Sequence, residues 1–166
     1  MKNNSAEKNI NWVSVGNGQL AIGHRPSAKL CSELKLQNVT HILTLISENE
    51  GANTVKSIAK KNNLDWLWFP MENAMPPSDN RNKEIADLFL NLKNILKNEG
   101  KIYMHCSAGI HRTGMIANAF LQFLGYTKEE SLKAIKKLRE VTIDQVGDHR
   151  IAWGNFINTI LGNIQK

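Results

Sequence analysis

Apolar positions along the chain switch between a period of about two and a period of three to four. Trp12 to Val15 and Leu20 to Gly23, separated by Gly16-Asn17-Gly18, predict a hairpin. Ser27 to Leu36 has helical spacing, and His41 to Ile46 is a short apolar run of β-formers that predicts a buried strand. Asn53 to Asn62 predicts a second helix and Trp66 to Phe69 a second such strand, with Pro70 as its stop and a proline-rich loop from Pro70 to Ser78. Trp66 and Trp68, two apart, share one face of that strand. From Asp79, which suits the N-cap, Ile85, Leu88, Phe89, Leu92, Ile95 and Leu96 recur at three and four and fall on one helix face that ends at Gly100. Ile102 to Cys106 predicts a strand, Ser107 to His111 a loop, and Arg112 to Leu124 a helix stopped by Gly125. Thr127 and Glu130 have capping-box spacing for a helix toward Arg139, and Trp153, Phe156, Ile157, Ile160, Leu161 and Ile164 make a last amphipathic helix.

Strands interleaved with helices predict an α/β fold: a central, mostly parallel sheet of about four to five strands with helices on both faces. Internal repeats and long linkers are lacking, so residues 1–11 are expected to be a polar tail and residues 12–166 a single domain. The 166 residues suit one hydrophobic core, and 42% hydrophobic with 22% charged residues is an ordinary globular composition. No apolar run reaches membrane-helix length and the polar start has no signal-like core, so stable membrane insertion is not expected and the cytoplasm is. Two cysteines, Cys31 and Cys106, are too few for a disulfide framework. The net charge of +6 favours anionic partners. Its lysines and arginines are scattered rather than interleaved with aromatics, which argues against nucleic acid.

The chemistry concentrates in His105-Cys106-Ser107-Ala108-Gly109-Ile110-His111-Arg112-Thr113-Gly114, a strand end, a loop and a helix start. Such a loop can turn its N–H groups inward around a phosphate, with the positive end of the following helix at the same place. Gly109 relaxes the turn, and Arg112 can give two parallel charge-assisted bonds to phosphate oxygens. The same positive field favours a cysteine thiolate. Anion binding and nucleophile activation share one cause.

Cys106, five residues, then Arg112, flanked by His105 before and Thr113-Gly114 after, resembles the loop of the cysteine-dependent protein tyrosine and dual-specificity phosphatases. Its place two-thirds along the chain, and the order of elements over residues 12–161, look like the compact dual-specificity branch. The resemblance implies that the phosphate loop lies at the C-terminal edge of the sheet, between a strand end and a helix N-terminus. It implies a metal-free phosphomonoester hydrolase in which Cys106 attacks phosphorus and a phosphocysteine is then hydrolysed. Arg112 and the N–H groups of Ser107, Ala108, Gly109, Ile110, His111 and Arg112 would bind the phosphate. Thr113 takes the place of a hydroxyl that bonds the cysteine sulfur, with a local helix-start bond as its alternative, and His105 supports the loop. The implied substrates are a phosphorylated protein or a small phosphomonoester.

Two positions depart from that pattern. The family's leaving-group acid, an aspartate about thirty residues before the cysteine, would fall at Asn73, which has no carboxylic proton. Glu72 is the neighbouring candidate, Asp79 a second, and the absence of any carboxylic acid a third. His111 stands where Gly or Ser is common, either adding a titratable charge beside the pocket or pointing outward. Near the last helix, where some members place a water-positioning glutamine, this chain has Asp148 and His149. Cys31 reads as a packed hydrophobe, and His24 and Arg25 as pocket rim or turn cap. His105, Cys106 and His111 lack the paired spacing of a zinc site, so neither metal nor cofactor is expected.

The rival to an active phosphatase is a phospho-binding module that keeps the cradle without an efficient acid. A rhodanese-like or Cdc25-like cysteine enzyme is a third reading. Phosphotyrosine ranks above phosphoinositides as a substrate, with nucleotides open, and oligomeric state has no signal in the chain.

Overall fold

In the computed structural model, which describes residues 9–164, one sheet is formed by β1 (Val13–Val15), β2 (Gly18–Gly23), β3 (His41–Ile46), β4 (Asp65–Met71) and β5 (Lys101–His105). Its spatial order is β1-β2-β5-β3-β4; only the β1–β2 pair is antiparallel. Seven helices among the described residues flank the sheet: α1 (Ala28–Leu36), α2 (Ala52–Lys61), α3 (Asn82–Lys97), α4 (His111–Phe123), α5 (Lys128–Leu138), α6 (Glu140–Gln145) and α7 (Asp148–Ile164). The α/β class and the mostly parallel sheet agree with the sequence reading.

The central strand is β5, and Ile102, Tyr103, Met104 and His105 are all buried, as expected where both faces of a parallel strand are covered. Its last residue, His105, is in register with Gly23 of β2 and Thr44 of β3, so three strands converge where β5 ends. From there the chain enters α4, in which every residue from Arg112 to Leu121 is buried. A helix apolar all round is a core helix, held here by α5, α6 and α7. Truncating Met115, Ile116 or Phe120 to alanine would cost about 2–5 kcal/mol. The start of α4 is therefore anchored by the core itself.

Local signals set several boundaries. The Ser27 hydroxyl accepts from Leu30 N–H (3.1 Å) and caps α1, and Thr127 and Glu130 form the expected capping box on α5. Gly125, at φ +102°, follows the end of α4, where Tyr126 N–H reaches back to the Leu121 carbonyl. Trp66 and Trp68 stack at 5.5 Å on one face of β4, as their spacing predicts.

Other boundaries are corrected. Strand β4 runs through Pro70 to Met71: it is an edge strand paired only with β3, so proline's missing donor breaks no ladder bond on a second side. Asp79 is not the N-cap of the long helix; it opens a 3-10 turn, Asp79–Arg81, and α3 starts at Asn82. α4 begins one residue early, at His111, and α7 begins at Asp148, where polar residues form its first turn. The short helix α6 and the 3-10 turn Glu48–Glu50 have no apolar periodicity to reveal them. Of the polar tail, residues 1–8 lie outside the described residues, while Ile10 packs against the core.

Candidate active site

Past His105 the loop is shaped by the direction of its carbonyls. Arg25 N–H holds the Ser107 carbonyl (3.0 Å), Arg139 Nη1 holds those of Ala108 (2.5 Å) and Gly109 (3.2 Å), and Thr142 Oγ1 donates to Gly109 as well (2.6 Å). In a trans peptide the carbonyl and the next N–H point opposite ways, so carbonyls drawn outward turn amides inward. The Gly109 N–H lies 3.3 Å from Cys106 Sγ. Gly109 has φ +71°, and a Cβ there would sit 2.3 Å from the Gly23 backbone. Conformation and space both require glycine. At Ile110 no side chain caps α4, so its first-turn donors and positive end lie uncapped at the end of the same loop.

Arg112, only 8% exposed, is gripped by Glu50: Nη1 to Oε2 at 2.7 Å and Nη2 to Oε1 at 2.8 Å. Nη1 also donates to the Met71 carbonyl (2.8 Å) and Nη2 to Ser107 Oγ (3.4 Å), so the two-nitrogen fork expected to face phosphate is here engaged by Glu50. The Arg112 bonds, helped by Ser47 N–H and Oγ at 2.9 Å, bring the Glu50 carboxyl down to about 2. Arg112 in turn is raised, first by Glu50 and further by Cys106 beside it. A second guanidinium, that of Arg25, donates to the Glu50 carbonyl. Sequence reading passed over Glu50; Ser47 and Glu50 do carry capping-box spacing, which marks the turn but not its partner.

His105 is fully buried and forms a fixed relay. Trp66 Nε1–H donates to Thr44 Oγ1 (2.8 Å), and the Thr44 hydroxyl lies 2.7 Å from His105 Nε2. His105 Nδ1 lies 2.8 Å from the Cys106 carbonyl, an acceptor only, so the proton is on Nδ1 and Thr44 donates to Nε2. Burial brings the imidazole down to about 4, so it is neutral and its tautomer is set by these partners. Thr44 and Trp66 give no sign of this role in the sequence.

The other predicted residues divide. Cys106 is buried at 3% exposure; Ser107, Ala108 and His111 are exposed, Ile110 is half-buried, and Thr113 is fully buried. His111 therefore takes the outward option. Among the described residues, Thr113 Oγ1 is the buried side-chain polar atom without a hydrogen-bond partner, so neither the bond to the Cys106 sulfur nor the local helix-start bond is formed in this structure. Burial pushes the Cys31 thiol up to about 11, as for a packed hydrophobe. Glu72 and Asn73 are exposed and follow Met71, whose carbonyl Arg112 holds; Asn73 Oδ1 accepts Met75 N–H (2.9 Å) in a local turn. Asp79 lies at the far end of that loop. An inward-facing amide loop, a buried guanidinium and a thiol together can hold a tetrahedral oxyanion against a sulfur nucleophile.

Comparison with known proteins identifies the family and the fold. The family described as dual specificity phosphatase, catalytic domain, matches residues 20–148, and the chain belongs to it. Among solved structures, kinase associated phosphatase superposes with a TM-score of 0.77 at 17% identity, covering 93% of this chain and 96% of the other. Tk-PTP in its active form gives 0.70 at 15% identity (90% and 95% covered), and PTPMT1 0.69 at 18% (93% and 98%). At these identities the likeness is one of fold. No curated protein sequence matches at a significant level.

Proposed function

We propose that this protein is a phosphomonoester hydrolase of the protein tyrosine and dual-specificity type. The observation that carries the reading is the buried Arg112 guanidinium, fixed by Glu50 beside Cys106 at the head of α4. Cys106 Sγ attacks phosphorus; the S–P bond forms as the ester P–O bond breaks, its electron pair leaving with the oxygen, which takes a proton. Water then attacks the phosphocysteine, the S–P bond breaks, and phosphate and thiolate are released. Arg112 and the loop amides hold the equatorial oxygens throughout, and Thr113 supplies a hydroxyl to the sulfur. Glu72 is the proton donor of this reading: it lies one residue past Met71, whereas Asp79 sits across the loop.

A phosphorylated protein or small phosphomonoester is the substrate class, in the cytoplasm, where the free Cys31 and Cys106 stay reduced. Among structures of this fold, TpbA has been described with phosphotyrosine and PTPMT1 with PI(5)P. The first test is hydrolysis of an aryl phosphate between pH 5 and 8, with chelator, by the native protein and Cys106→Ser. Activity abolished by the substitution supports the enzyme. Binding of inorganic phosphate without turnover supports a phospho-binding module instead, a reading favoured by Asn73, an amide at the acid position that is engaged in a local turn.

A further inference from the structure

The loop that carries Glu72 is held by guanidinium groups at three points. At its entry Arg81 Nη1 donates to the Pro70 carbonyl (2.7 Å), while Arg81 pairs with Glu84 and lies over the Phe69 ring at 3.9 Å. Arg112 Nη1 takes the next carbonyl, that of Met71. Past the turn made by Asn73 and Met75, Arg150 Nε donates to the Ala74 carbonyl at 2.7 Å. Arg150 belongs to the first turn of α7, and its Nη1 also donates to the carbonyl of Val146, the residue that ends α6 (2.8 Å). It therefore joins three separate parts of the chain.

Behind Arg150 two helices pack closely. α7 packs along α4, where Asn118 Nδ2 donates to the Ile151 carbonyl (3.2 Å) and a Cβ on Gly154 would meet Asn118 at 2.5 Å. α4 begins with the phosphate loop. The carbonyl two residues past Glu72 is thus tied to the helix pair whose first turn carries Arg112 and which follows the Cys106 loop. Between Met71 and Ser78, Glu72 is the only residue with a titratable side chain, and it has no hydrogen bond or ion pair among the described residues. The backbone on either side of it is held by the bonds at Met71 and Ala74.

We propose that Arg150 is a positioning residue, which latches the Pro70–Ser78 loop through the Ala74 carbonyl so that Glu72 is presented to the leaving oxygen. The role rests on the phosphatase reading above. Arg150 touches no substrate: it acts through the peptide between Ala74 and Glu72. The proton passes from the Glu72 carboxyl to the departing oxygen as the P–O bond breaks. A good leaving group needs little of this help and a poor one much.

The test compares a nitrophenyl phosphate with an alkyl phosphate in the native protein, Arg150→Met and Arg150→Lys. Expected for Arg150→Met is a fall in kcat on the alkyl ester at least tenfold greater than on the aryl ester, with KM little changed. The basic limb of the alkyl pH profile, which reports the protonated acid, flattens. Arg150→Lys restores part of the difference, since an ammonium can still reach one carbonyl but lacks the planar fork. An equal fall on both esters, or an unchanged basic limb, overturns the latch. A native protein inactive on both esters overturns the phosphatase reading and the latch with it. Should Arg150→Met prove unstable, Arg150→Lys and Arg150→Gln carry the same leaving-group comparison.

Discussion

Glu50 and Arg112, sixty-two residues apart, meet as a bidentate pair with both bonds under 2.9 Å. The pair aims the guanidinium that the phosphate must meet. Glu50→Gln keeps the shape but removes the charge and one acceptor. Losing a hydrogen bond to a charged group weighs about 1.5–3 kcal/mol, or about 10- to 150-fold in kcat/KM. Phosphate affinity should fall with it, measured by titration of inorganic phosphate. Because the Glu50 carboxyl is brought down to about 2, its contribution is complete above the ordinary carboxylate range and lost only as pH falls toward 2. Activity between pH 5 and 8 should show no ionisation from Glu50.

The relay through His105 predicts a pH dependence of folding with the opposite cause. The imidazole has its ordinary value near 6.5 when unfolded and about 4 when buried, so between these values the unfolded chain binds the extra proton. Stability is full above pH 6.5 and falls as pH drops toward 4, by about 3 kcal/mol in all. Urea unfolding at pH 7.5 and 4.5 measures it. His105→Asn, whose Nδ2–H can still reach the Cys106 carbonyl, should flatten the difference. An unchanged pH slope in that variant would place the effect elsewhere.

Thr113 should separate stability from turnover. Its hydroxyl is buried without a partner, so Thr113→Val removes an unsatisfied group of nearly the same volume. Stability should rise by about 1 kcal/mol in urea unfolding. In the proposed reaction that hydroxyl serves the cysteine sulfur, so breakdown of the phosphocysteine should slow and an initial burst appear. A less stable Thr113→Val protein would show that the hydroxyl has a partner in solution.

Two glycines at positive φ give a controlled comparison. Gly109→Ala places a methyl group 2.3 Å from the Gly23 backbone, whereas at Gly125, φ +102°, nothing lies within 4 Å. Gly125→Ala should cost about 1 kcal/mol, the backbone penalty alone. Gly109→Ala should cost about 2 kcal/mol or more and abolish activity, because the loop must leave Gly23 to make room. Thermal unfolding and aryl phosphate hydrolysis distinguish the two.

The α/β alternation, the segment from His105 to Gly114 and the anchoring helix behind it are legible in the chain, because they depend on neighbours along it. Apolar spacing reports which face is buried, and Cys106 and Arg112 sit at one strand end and helix start. The tertiary structure alone decided what closes around them. Glu50, Thr44, Trp66, Arg139, Thr142 and Arg150 reach the site from other turns, strands and helices, and each looks on its own like a cap, a packed ring or a solvated charge. Pro70 misled for the same reason. A proline breaks a central strand and is tolerated on an edge, and edge or centre is set by the order of strands in space. Local pattern specifies elements, whereas the partners of a charge or a carbonyl depend on which elements the core brings together.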